Sequence, residues 1–263
     1  MVSIMKKKNK SVYIVLILVL LILLLVFINI LIKNLNSSST VGFILFSLKS
    51  FMSFEIIDFH THCFPDAIAE RALPILAEKG GVVPASNGKI SGLLDSMKQN
   101  GVDYSVILQI ATKPTQNHTV NSWAIARNEP GIIAFGSVHP RSEDWEPELE
   151  RLAEAGIKGI KLHPEYQSFY VDDPMMLPIY RKISELGLIV VFHAGEDPGY
   201  PPPVHLTPER IMRVADILPQ SRTVLAHMGS RGYLDDVARL MKDTEFYYDT
   251  AFCYDDHDPA QMV

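Results

Sequence analysis

The chain has 263 residues, 48% of them hydrophobic, with two cysteines and a formal charge of −6. Its first 51 residues hold six lysines and no acidic residue, leaving 18 cationic against 30 anionic side chains in the rest. So acidic a body argues against nucleic acid as a partner, and Cys63 and Cys253 form no CxxC pattern, so neither a disulfide framework nor a thiolate zinc site is suggested.

Residues 12–32 are apolar apart from Tyr13 near one end and Asn29 near the other. At a helical rise of about 1.5 Å per residue, such a stretch spans roughly the 30 Å core of a bilayer. Four lysines precede it and Lys33 follows it. Read as written, residues 1–51 are a single-pass membrane anchor with the N-terminus cytoplasmic and the main domain outside. The alternative is a start assigned too far upstream, with translation beginning at Met52 and a cytoplasmic product.

From Glu55 onward, β-branched runs alternate with segments of helical period. The runs begin near Ile56, Tyr104, Ile132, Gly159, Leu188, Thr223 and Phe246. "YSVILQI", "IIAFGSV", "LIVVF" and "RTVLA" are almost continuously apolar, as parallel strands buried on both faces require. Between them Ile90/Leu93/Leu94/Met97, Leu149/Leu152/Ala153 and Ile211/Val214/Ala215/Leu218 keep the i, i+3, i+4 spacing of amphipathic helices. Gly101, Gly156 and Gly187 stand where helices end in a left-handed residue. Thr207 before Pro208 reads as an N-cap with proline at the first helical position. A unit repeating at this interval, without a glycine-rich phosphate loop after its first strand, predicts an α/β (β/α)8 TIM barrel over residues 52–263 rather than a doubly wound sheet.

Six of the nine histidines fall at the ends of the predicted strands, in "DFHTH", "GSVHP", "IKLHP", "VVFHAG" and "VLAHMG". In a barrel those ends converge on one face, where active sites are built. His60 and His62, two apart, point the same way. Paired imidazoles suit a divalent metal ion such as zinc. Lys161 and His163 repeat the spacing on the fourth strand, and His193 and His227 close the fifth and sixth.

Together, "IDFHTH", "GIKGIKLHPEYQSFYVDD", "VVFHAG", "VLAHMG" and "YYDT" resemble the amidohydrolase superfamily, in its branch of metal-dependent TIM-barrel hydrolases and decarboxylases. That resemblance implies His60, His62 and His193 as metal ligands. It implies His227 as a further ligand, or as the residue that polarises the nucleophilic water and shuttles its proton. Lys161 is then either a carbamylated bridge between two metals or, as favoured here, a cation that neutralises a substrate carboxylate. His163 contacts substrate or orients its loop, and His139 is structural or supports the site from behind. Cys63 is expected to face away and pack. Asp249 is expected to accept a hydrogen bond near the rim without being a ligand. "AGEDPGYPPPVHL" is either a specificity loop or a rigid connector.

The resemblance also implies an eighth strand carrying an aspartate ligand, and none is recognisable before Val263. The expectation is therefore a barrel lacking its eighth strand, and a chain that is a fragment. Three functions follow: a metal-dependent hydrolase of an amide, ester or lactone, a non-oxidative decarboxylase, or an inactive remnant. A small-molecule substrate is the expected partner, with homo-oligomerisation open and membrane contact limited to residues 12–32.

Overall fold

A computed structural model of the protein describes residues 55–127 and 129–253, together with Ile28. Seven strands occur among them: β1 (Ile57–Thr61), β2 (Tyr104–Leu108), β3 (Ile132–Phe135), β4 (Gly159–Leu162), β5 (Ile189–Phe192), β6 (Thr223–Leu225) and β7 (Tyr247–Tyr248). Each begins within one residue of its expected start. The intervening helices are α1 (Asp66–Gly80), α2 (Ile90–Asn100), α3 (Asn117–Ile125), α4 (Trp145–Glu154), α5 (Pro164–Gln167), α6 (Met176–Glu185), α7 (Pro208–Met212) and α8 (Leu234–Leu240).

Every ladder is parallel. β1, β2 and β3 make one sheet and β4 to β7 a second, both in chain order. A parallel bridge between Gly136 and Ile160 is the seam between them. Glycine is required beside it, because a Cβ on Gly159 would stand 2.4 Å from the Phe135 ring and 2.7 Å from the Ile189 carbonyl.

Alternation along the strands separates two apolar layers. Ile160, Leu162, Val190, Phe192 and Leu225 pack outward with Leu149 and Leu152 of α4 and Ile179 and Ile183 of α6. Val106, Leu108, Phe135, Val191 and Val224 form the inner layer. Burying each such side chain is worth about 1.5–3 kcal/mol. Lys161 lies in register with the inward Val191 and is only 1% exposed, so its chain runs up the interior.

Among the described residues the sheet stays open, as expected of a barrel without an eighth strand: β1 pairs only with β2, and β7 only with β6. A cavity of about 930 Å3 lies along the two edges, walled by Ile57, Phe59, Ile189, Val224, Tyr247 and Tyr248. The helix expected through Leu218 stops at Met212, and bonds such as Val214 N–H to the Ile211 carbonyl continue it as tight turns. Thr207 does occupy its N-cap, with no side-chain bond to the helix. The single-pass membrane placement is also overturned. Among the described residues no helix is long and apolar enough to cross a membrane, and residues 12–32 lie outside them apart from Ile28.

Candidate metal centre

The strand ends do gather imidazoles. His60 and His62 lie with ring centroids 5.1 Å apart, and His60 stacks on His227 at 5.4 Å. His227 meets His193 at 4.7 Å, and His193 stacks on His163 at 4.1 Å. The five rings form one continuous row, with Lys161 beneath it. His139 donates its N–H to Asn117 and accepts from the Arg141 N–H, and is not part of the row.

The backbone delivers these rings by two devices. The HxH pair stands at the end of β1, where the pairing with β2 slips by one residue between Asp58 and Thr61, whereas His227 and Met228 lie in the left-handed region at φ 60° and 55°. Such conformations cost a non-glycine residue roughly 1–3 kcal/mol and persist only where surroundings impose them. Here Asp249 imposes them: its Oδ1 accepts the His227 N–H at 3.1 Å and its carbonyl accepts the Met228 N–H at 2.7 Å.

Hydrogen bonds also fix where the ring protons sit. His62 Nδ1 donates to the Leu108 carbonyl at 2.9 Å, and His60 Nδ1 to Asp249 Oδ2 at 2.8 Å. His227 Nδ1 donates to the Ala251 carbonyl at 2.6 Å, so its Nε2 is an acceptor. That acceptor lies 3.0 Å from His193 Nδ1, which must therefore carry the proton. One backbone carbonyl thus sets two tautomers in series. The Nε2 atoms of His60, His62 and His193 are left as lone pairs, the form in which imidazole binds a metal.

Electrostatics keep the row neutral. Burial, reinforced by the Lys161 charge, lowers His62 and His227 to about 4. Burial likewise holds His60, His163 and His193 well below the usual imidazole range, with Lys161 next for His60 and His163, and His163 next for His193. Lys161 itself is lowered to about 8 by burial, against a partly compensating attraction to Asp249.

Buried polar atoms without a hydrogen-bond partner among the described residues include Lys161 Nζ, His193 Nε2 and Glu165 Oε2. Such groups are costly unless something answers them. A divalent cation answers a ring of neutral lone pairs, so these residues fit one.

The structure does not draw the expected ligands together as one group. Among the described residues, the donors within 4.8 Å of one another are those of His163, His193 and Asp197. His60 stacks on His227, which in turn meets His193. Two carboxylates were missed by sequence reasoning. Asp197 sits inside "AGEDPGYPPPVHL", four residues after His193, and its position there was the available signal. Glu165 follows His163-Pro164 and carried none. Cys63 is buried, and Asp249 does accept bonds at the rim.

An amidohydrolase family model matches residues 57–262. No curated protein matches the chain. An uncharacterized TIM-barrel protein from Bordetella bronchiseptica superposes with a TM-score of 0.58 at 17% identity, covering 75% of each chain. The apo form of the Metarhizium anisopliae IDCase superposes with a TM-score of 0.52 at 17% identity, over 73% of this chain and 70% of that one. At such identity the two structures speak for the fold alone. The chain belongs to the amidohydrolase family, a family of enzymes, on the strength of the family match.

Proposed function

We propose that the protein is a metal-dependent hydrolase that cleaves an amide, ester or lactone. The observation that carries this reading is the row of neutral imidazoles whose Nε2 lone pairs are fixed by partners behind them. His60, His62 and His193 would hold the metal, with zinc the favoured ion. When bound, a divalent cation supplies Lewis acidity toward a carbonyl and toward water.

The remaining work falls to the chain. Asp249 and the Leu108 carbonyl keep the HxH rings oriented. His227 moves the proton: its Nδ1 is committed to Ala251, which leaves Nε2 as the accepting atom. That atom must exchange His193 for the reacting water before it can act. Lys161, buried and unpaired, offers its ammonium to an anionic group of the substrate.

The same lysine favours a second reading, a non-oxidative decarboxylase, because a buried cation suits a carboxylate-bearing substrate. The test is to assay protein loaded with zinc or manganese against amides, esters, lactones and aromatic carboxylates. Hydrolysis that disappears in His60→Ala supports the first reading, carbon dioxide release supports the second, and no turnover of any substrate overturns both.

A further inference from the structure

We propose that His163, His193 and Asp197 form a divalent-cation seat of their own, backed by Glu165. Their donor atoms already lie within 4.8 Å of one another, with His163 Nε2 at 3.3 Å and His193 Nε2 at 3.8 Å from Asp197 Oδ2. The second of these is too long for a hydrogen bond. His193 is 7% exposed, and its Nε2, the lone pair left over by the His227 relay, has no partner among the described residues.

Glu165 supplies the independent observation. Its Oε2 is buried, also without a hydrogen-bond partner, and lies 3.6 Å from His163 Nδ1. At present His163 Nδ1 accepts a long bond of 3.4 Å from the Tyr166 N–H, which puts the ring proton on Nε2. A cation at Nε2 reverses this: the neutral ring then carries its proton on Nδ1, facing Glu165. Both orphaned acceptors, His193 Nε2 and Glu165 Oε2, are answered by the one ion. Carboxylate, imidazole and metal in sequence is a recurring support for zinc.

The fold holds the parts rigidly. His163 caps the short α5 after β4, and His193 directly follows β5. Asp197 is brought back over them because Gly195, at φ 83°, lies against residue 231, where a Cβ would stand 2.1 Å from the Arg231 nitrogen. Asp197 Oδ1 is braced by the Gly199 N–H at 2.7 Å, leaving Oδ2 turned to the imidazoles. Two imidazoles and one carboxylate suit zinc, manganese or iron.

The seat shares only His193 with the proposed hydrolytic centre. That ring has one free lone pair, so a cation here and a cation on the HxH set exclude each other. The test is zinc titration by calorimetry on the full chain, with circular dichroism to verify folding. A His60→Ala/His62→Ala double variant is expected to retain one zinc equivalent. Glu165→Gln should weaken that binding by roughly 10–100-fold, and Asp197→Asn by more. Loss of all zinc binding in the double variant overturns the seat, as does unchanged affinity in Asp197→Asn. If Asp197→Asn does not fold, Glu165→Gln decides by the same criterion. Zinc bound in this pattern by a protein that turns over no substrate supports the seat while overturning the hydrolase and decarboxylase readings.

Discussion

His60 Nδ1 donates to Asp249 Oδ2 at 2.8 Å, and this bond joins the end of β1 to the end of β7 across the open side of the sheet. The same carboxylate receives the main-chain N–H groups of His227 and Ala251 on its other oxygen, at 3.1 Å each. Asp249 therefore holds three separate pieces of the rim in one arrangement.

Replacing Asp249 with asparagine keeps the shape and removes the charge. The amide presents one donor where two oxygens accepted, so the His60 ring loses its fixed tautomer or a main-chain N–H loses its partner. Zinc affinity at the HxH set is expected to fall roughly 10–100-fold, as for other outer partners of metal-binding histidines. A competition titration with a chromophoric chelator measures it, and an unchanged constant would show that Asp249 only packs.

Lys161 should cost stability. Burial lowers its pKa from 10.5 to about 8, so the folded chain binds this proton less readily than the unfolded one. Its destabilising effect is absent above pH 10.5, grows as pH falls toward 8 and is complete below that, at roughly 3 kcal/mol. Lys161→Met is accordingly expected to raise the melting temperature at pH 7 while abolishing turnover of anionic substrates. A lower melting temperature in this variant would refute the assignment.

His62 and His227 have the same sign at lower pH. Their folded values of about 4 lie below the 6.5 of an unfolded chain, so unfolding takes up protons. Their contribution is complete above pH 6.5 and drains away as pH falls toward 4, at up to about 1.4 kcal/mol per pH unit for each ring. Denaturant midpoints of metal-free protein should therefore drop between pH 7 and 4.5. In His62→Phe the drop should be shallower, and identical slopes in the two proteins would count against this account.

Gly195→Ala tests how the loop is held. The new methyl would meet the Arg231 backbone at both nitrogen and oxygen, and φ 83° is unfavourable for alanine. A loss of more than about 2 kcal/mol is expected in urea unfolding. The loop carries Asp197, so zinc affinity at the seat should fall with it. A loss under 0.5 kcal/mol would mean that residues 195 and 231 separate freely.

Much of the architecture was legible because strand burial is written locally. "YSVIL" and "IVVF" admit little but a two-sided parallel strand, and Gly101 and Gly187 adopt the left-handed conformations their positions suggested, at φ 68° and 66°. The helix through Leu218 was overextended because apolar period persists through tight turns as well as helices. At the rim, alternation places Lys161 from sequence alone, while the HxH pair reaches the site through a one-residue slip between Asp58 and Thr61 that alternation does not show. It cannot place Asp197, whose carboxylate returns to His193 only through a contact with residue 231. Nor could it foresee that His227 leaves the β conformation, since the residue that holds it, Asp249, is 22 positions away.

The seam at Gly136 and Ile160 has a mechanical implication. The HxH pair rides on one set of three strands, while Lys161, His163, His193 and His227 ride on the set of four. A small hinge displacement of one set against the other would alter the spacing between His60 and His227 and leave the trio of His163, His193 and Asp197 undisturbed. Cargo lodged on the second set would tolerate such breathing, whereas cargo spanning both sets would clamp it.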